Sequence, residues 1–513
     1  MTLSLLDYLV FGLFLIVVVG TGFWQSRKEA NAEDYFLAGR GLSWWVIGLS
    51  LIASNISTEH FIGMAGQGYQ EGIGMAIASY EWIAALALVL VAFFLLPRFL
   101  KAGLYTMPEF LEYRYNRSVR TLMSSITLVF YVGITMATVL LLGALPLEVI
   151  FGLPRQQGIW LIGILAGAYT IYGGLKAVVW TDVLQASALL VGGVLVSVLA
   201  IQETGGWAAF QTLAGDRLDA VLPADHPKYP WPAIFLGGMW IPNLYYWGLN
   251  QFITQRTLGA KSIREGQKGI LLGASLKLLI PLIVVLPGIA AFALYADEIG
   301  TNMDAAYPTL LKNILPAGLA GLMLAALFGA VMSTLDSLLN SSATLFTMDL
   351  YKPFINPGAD DRTLMRIGRW STLVFVLVAC LWTPVVGAFD GGLYEFIQLY
   401  WGFVQPGILA VFLLGLVWSR VPAVAALTGM LLNVPLYGLL LWQFPNIAFL
   451  HHMGICFVVI IGVMIAITAL RPLRTPAVLP DHAHAGQQHS GPWLKVWGMT
   501  IVLATAALYV YFS

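Results

Sequence analysis

Ala53-Ser54-Asn55-Ile56-Ser57-Thr58-Glu59-His60 lies inside an apolar run extending from about residue 42 to 68. Six of these eight residues are polar or ionisable. A bilayer offers no partner to a carboxylate, an imidazole or a freed backbone carbonyl, so such a break is tolerated only where the helix is buried in protein and lines a wet cavity. Interrupted helices whose loose carbonyls hold a cation beside a solute are the sequence mark of a transporter. A kinked helix carrying a satisfied polar patch is the plainer alternative for this stretch taken alone.

Composition agrees with a membrane setting. The 513 residues are 59% hydrophobic and only 10% charged, with a mean hydropathy of +0.81, whereas soluble domains carry about 25% charge. Cys380 and Cys456 fall inside apolar runs far apart in sequence, which leaves neither a disulfide framework nor a metal knuckle. The first apolar run, from Leu5 to Trp24, is followed by Arg27 and Lys28 with no basic residue before it, the reverse of a signal peptide, and reads as a retained span. No phosphate loop, nucleophile elbow or HExxH pattern occurs, so an enzyme is not expected, nor a nucleic-acid partner.

About fourteen segments are long and apolar enough to cross a bilayer, predicting an all-α polytopic membrane protein. With both termini outside, 21 of the 26 Lys and Arg residues fall on the cytoplasmic side, 4 outside and Lys277 within a span. The positive-inside rule favours that orientation, in a plasma (inner) membrane. A second polar break, containing Pro242, Asn243, Tyr246, Trp247, Gly248 and Asn250, follows five spans after the first. An odd number of crossings reverses direction, so residues 42–201 and 231–419 are expected to be inverted repeats, preceded by a leading segment 1–41 and followed by peripheral helices in 420–513. Asn243, Tyr246, Trp247 and Asn250 share one helical face, either a cavity wall or an aromatic packing seam.

A later run carries Ala330, Ser333, Thr334, Ser337, Asn340, Ser341 and Thr344 at helical spacing among Leu, Ala, Met and Phe. Hydroxyls beside freed carbonyls suit a hard cation such as sodium. Ser and Thr in membrane helices also bond across helix contacts, and that alternative stands for any one of them. Glu81 and Lys277 each cost about 2.5–3.5 kcal/mol if charged at the bilayer centre. A binding role and a structural ion pair both account for them. His482 and His484, with Asp481, lie in a Pro-, Gly- and His-containing stretch that reads as a linker.

Several runs are specific in combination: Glu33-Asp34-Tyr35-Phe36-Leu37-Ala38-Gly39-Arg40, Ile77-Ala78-Ser79-Tyr80-Glu81-Trp82, Tyr172-Gly173-Gly174-Leu175, Val179-Trp180-Thr181-Asp182, Asn243-Leu244-Tyr245-Tyr246-Trp247 and Phe346-Thr347-Met348-Asp349-Leu350-Tyr351. With these runs the chain resembles the sodium/solute symporter family from its first span to about residue 470, and within it the sodium/galactose and sodium/glucose members. The resemblance implies a leucine-transporter-like core of two inverted five-helix repeats and hexose uptake driven by Na+. It places the sugar on Asn55, His60, Glu81, Asn243, Lys277 and Gln398, with Tyr246 and Trp247 beneath it and Met64, Tyr80, Tyr246 and Tyr394 as gates. It implies a primary sodium site from the carbonyls of Ala53, Ile56 and Ala330 with the hydroxyls of Ser333 and Thr334, and a second site drawing on Asp182, Asp336 and Ser337.

The chain departs from the bacterial galactose pattern at His60, where that pattern has glutamine, at Ala84, where it has serine, and at Asp336, where it has a small apolar residue. His60 resembles the animal sodium/glucose transporters. Asp336 is read either as a sodium ligand or as an acceptor for Ser333 and Ser337. Inositol, another hexose or an organic anion is the alternative solute, and a non-transporting sugar sensor the alternative class; a sensor is expected to carry a signalling domain, and none is visible here. Oligomeric state is not legible.

Overall fold

The computed structural model describes residues 4–25, 31–387, 393–481 and 491–513; His482 and His484 lie outside them. Among the described residues the regular structure is helical, with two isolated bridges, Leu42 to Ala260 and Leu222 to Pro230. Ten helices among the described residues are long and apolar enough to cross a membrane, or eleven if Tyr394–Trp401 and Gln405–Val417, bent by 48°, make one span. The other three of the expected fourteen segments are shorter or joined. Two are interrupted helices, and the third is the first part of Arg155–Glu203, a 49-residue helix turned at Gly174. Gly174 has φ 46°, ψ −155°, and a Cβ there would fall 2.2 Å from the Tyr35 carbonyl oxygen, so only glycine permits the two limbs to meet at this angle.

The first interrupted helix runs Trp44–Asn55, stops at an extended Ile56 (φ −80°, ψ 104°), and resumes through a π turn, Glu59–Met64, into Ala65–Tyr69. Ile56 still donates to the Ile52 carbonyl at 2.8 Å, but no backbone amide among the described residues bonds to the carbonyl of Ala53. The second consists of Trp240–Gly248 and Gln251–Leu258, parted at Leu249 and an extended Asn250 (φ −77°, ψ 121°). The Tyr131 hydroxyl holds this break open by donating to the Asn250 side-chain oxygen while accepting the Phe252 amide at 3.1 Å.

Burial ranks the helices. Leu319–Thr344 is the centre: 94% of its span is buried, against Arg155–Glu203, Leu5–Gln25 and Asp361–Val386. Its polar stripe therefore faces protein. Leu5–Gln25 is only 17% buried and Phe449–Leu470 28%, as expected of helices that face lipid. Three arginines are internal. Arg114 donates to the carbonyls of Gly415, Trp418 and Val421 at the end of Gln405–Val417, where a cation complements the free carbonyls. Arg120 is bonded to Asp349, and Arg256 is fully buried.

Candidate functional site

The two helix breaks face each other across a cavity that is partly open to solvent. Asn55, His60, Glu81, Asn243, Tyr246, Trp247 and Gln398 all line it, so seven of the eight expected solute residues converge. The eighth, Lys277, stands one layer behind. Its ammonium donates to the Asn55 amide oxygen and to Glu81, and sits 4.8 Å from the Trp247 ring centroid. Lys277 is completely buried. Removing such a cation from water is tolerable only with this many compensating partners. His60 Nε2 lies 3.3 Å from the other Glu81 carboxylate oxygen, so Glu81 is held from two sides and presented to the cavity.

Aromatic rings bound the cavity. Tyr80 and Tyr394 meet edge to face at 5.6 Å between centroids, with Tyr394 also 6.4 Å from the His60 ring, and both are buried. Opposite, Tyr246 packs against Trp247 at 5.1 Å and Phe252 at 5.5 Å, while its hydroxyl accepts from Asn55 Nδ2 at 3.0 Å. Met64 is buried but is not among the lining residues. An amide, carboxylate and imidazole set converging beside aromatic plates suits a compact polyhydroxylated solute.

Beneath this cavity lies a drier polar cluster. Thr334 Oγ1 donates to the carbonyls of Ser54 at 3.2 Å and Ala330 at 3.1 Å, bringing the central helix against the first break. Ser333 Oγ donates to Asp182 at 2.5 Å, and Ser50 and Ser54 donate to the same carboxylate at 2.5 and 3.2 Å. Arg256 approaches Asp182 at 3.8 Å and donates to Ser50 and Ser337, each at 2.8 Å. The donor set fits sodium: uncharged oxygens, an unclaimed Ala53 carbonyl and a nearby carboxylate. Asp182 and Ser337 share the partners Ser54 and Arg256. Asp336 accepts from Thr170 Oγ1 at 2.9 Å, which ties the central helix to Arg155–Glu203.

Sequence reasoning missed Glu59, Thr135, Phe252, Trp401 and Gln405, all of which line the cavity. Glu59 was in plain sight inside the opening break. Thr135 and Trp401 had no signal, because only a π turn, Tyr131–Thr135, and the bond from Trp401 Nε1 to Thr135 Oγ1 at 3.2 Å bring them there.

The family model described as the sodium:solute symporter family matches residues 35–433. The chain belongs to that family. It is similar to a sodium/glucose cotransporter of Vibrio parahaemolyticus, 44% identical over 84% of each chain, and to sodium/myo-inositol cotransporter 2 of Sus scrofa, 34% identical over 84% of this chain and 69% of that one. Among solved structures, a Na+-coupled sialic acid symporter in an outward-open state superposes with a TM-score of 0.81 at 25% identity, covering 93% of this chain and 99% of that one. The symporter is thus a multi-pass, sodium-coupled transporter with a leucine-transporter-like fold, and not an enzyme.

Proposed function

We propose that this symporter imports a neutral hexose, glucose or galactose, by alternating access, with inverted repeats at 42–201 and 231–419 and both termini outside the plasma membrane. The observation that carries the reading is the cavity itself, where Glu81, held by Lys277 and His60, converges with Asn55, Asn243 and Gln398 beside Tyr246 and Trp247. A pyranose offers a ring of hydroxyls to such acceptors and donors, and an apolar C–H face to the aromatic rings. The glucose transport named for the Vibrio relative supports it. The inositol relative keeps a cyclic polyol of the same size as the second reading.

In the proposed cycle, sodium supplies positive charge between Ala53, Ile56, Ala330, Ser333 and Thr334, bracing the first break against the central helix. That brace fixes Asn55 and His60, which lie within four residues of Ile56 and face the solute. Tyr80 and Tyr394, with Met64 packed near them, close the outer side, and Tyr246 closes the inner one. Tyr246 can leave only if its bond to Asn55 breaks, so occupancy of the solute site and of the inner gate are coupled through one amide. A second sodium at Asp182 and Ser337 is the finer proposal, with Asp336 acting there indirectly through the helix. The novel Na+ site revealed in the sialic acid symporter supports a further ion in this fold.

Stoichiometry matters. A potential of about 100 mV contributes about 2.3 kcal/mol per charge, and a tenfold gradient about 1.4, so one ion supports roughly 10³-fold accumulation and two about the square of it. Uptake of labelled glucose, galactose and inositol into proteoliposomes, with and without a sodium gradient, tests the reading. Sodium-driven accumulation of inositol but of neither hexose would overturn it, and binding without accumulation would point to a sensor. Reversal potentials at varied sugar gradients give the ion count.

A further inference from the structure

The cavity holds a second carboxylate that the proposed hexose contacts do not use. Glu59 opens the π turn Glu59–Met64 and lines the cavity with its side chain part-exposed to it. The other charges there are already matched: Lys277 is bonded to Glu81 and Asn55 and lies behind the wall, and His60 faces Glu81. Among the described residues no cation lies within ion-pair distance of Glu59, and its carboxylate accepts no hydrogen bond. The phenols of Tyr246 and Tyr394, which line the same cavity, carry no positive charge.

A carboxylate in a low-dielectric cavity without a counter-charge is expensive. Such a carboxyl either takes up a proton or meets a cation that the solute brings in. Replacing one hydroxyl of a hexose by an ammonium adds no heavy atom, so the charged sugar fits the same volume, whereas acetylating the amine adds bulk and removes the charge. We propose that Glu59 makes this cavity a site for hexoses bearing a protonated amine, the 2-amino-2-deoxyhexoses, with its carboxylate as the partner of the ammonium. The inference rests on the hexose reading and adds a charge preference to it.

The test is a thermal-shift titration of the full-length protein in sodium-containing detergent solution with glucose, 2-amino-2-deoxyglucose and 2-acetamido-2-deoxyglucose. At a pH near 7, where an amine of this kind is still largely protonated, the amino sugar is expected to bind about tenfold more tightly than glucose, and the acetamido sugar more weakly than both. Glu59→Gln should bring the amino-to-glucose ratio to about one, and Glu59→Asp should recover part of the preference. The parent alone supplies a check that needs no variant: raising the pH to about 9, above the usual α-amino pKa of about 7.7–8.0, should erase its preference. An amino sugar bound no better than glucose, or a ratio unmoved by Glu59→Gln and by pH, overturns the proposal while leaving the hexose reading in place. If none of the three sugars shifts the protein, the hexose reading falls and this one with it.

Discussion

Two acid–base pairs are buried at the heart of the molecule, and they are built differently. Glu81 and Lys277 touch directly, and Glu81 keeps an edge towards the cavity. Asp182 and Arg256 stand 3.8 Å apart, both fully buried, with Ser50, Ser54, Ser333 and Ser337 filling the coordination around them. In the proposed reading the first pair presents a carboxylate to a solute that comes and goes. The second is a cross-brace between four helices, Trp44–Asn55, Arg155–Glu203, Gln251–Leu258 and Leu319–Thr344, whose hydroxyls can exchange protein partners for an ion. The difference suggests that charge in a transporter core is arranged either to greet a ligand or to report that an ion has arrived.

The largest effect that would break this comparison is at Lys277. Lys277→Ala leaves Glu81 as a buried charge without its main partner, at a cost of about 3–5 kcal/mol, and should abolish sugar uptake and lower thermal stability. Lys277→Ala together with Glu81→Gln should recover stability but not uptake. A double variant that transports normally would show that the pair is only structural. Glu81→Ala and Gln398→Ala should each raise the half-saturating sugar concentration about tenfold or more.

On the other pair, Asp182→Asn and Ser333→Ala should act on the ion. Each should raise the sodium concentration for half-maximal uptake by about tenfold or more, read at saturating sugar, since an oxygen lost from the ion's shell at about 1.5 kcal/mol or more is a decade in affinity. Unchanged sodium dependence would remove these residues from the ion's path. Asp336→Ala separates the second-site reading from a helix-packing role. A parent coupling ratio above one that the substitution lowers supports the former, and lost stability at unchanged ratio supports the latter.

Tyr246 tests the gate between the two regions. Tyr246→Phe loses one hydrogen bond to Asn55, worth about 0.5–1.5 kcal/mol, and should retain most transport. Tyr246→Ala should prevent accumulation, and equal loss in both would shift the role to the hydroxyl.

An effect remote from both pairs concerns Asp304, in the short turn Met303–Ala305 outside the spans. Burial pushes its carboxyl up to about 6, and one carboxylate oxygen is enclosed without a partner. The folded protein thus binds this proton more tightly than the unfolded chain does. Stability from this group is present below the unfolded pKa of about 3.9 and is lost as pH rises through about 6. Asp304→Asn should therefore raise the melting temperature at pH near 7.5, by up to about 2–3 kcal/mol of stability, and have little effect near pH 4. A gain of the same size at both would make it a packing effect.

Much of this was legible in the chain. Both helix breaks announce themselves as polar residues inside apolar runs, because lipid tolerates them nowhere else, and their spacing by an odd number of spans already carries the inverted repeat. Asn243, Tyr246, Glu81 and Gln398 were readable as cavity residues from their position and from the family pattern. What the chain could not express was partnership across sequence distance. That Arg256 turns inward to Asp182, that Lys277 stands behind Glu81 and that Glu59 is left without a cation depend on which helices pack together. Asp336 meets Thr170 of Arg155–Glu203, a partner 166 positions away that only the packing of the two helices brings to it. Hydropathy and spacing are local and survive in one dimension; charge pairing is a property of neighbours, and only the tertiary structure chooses them.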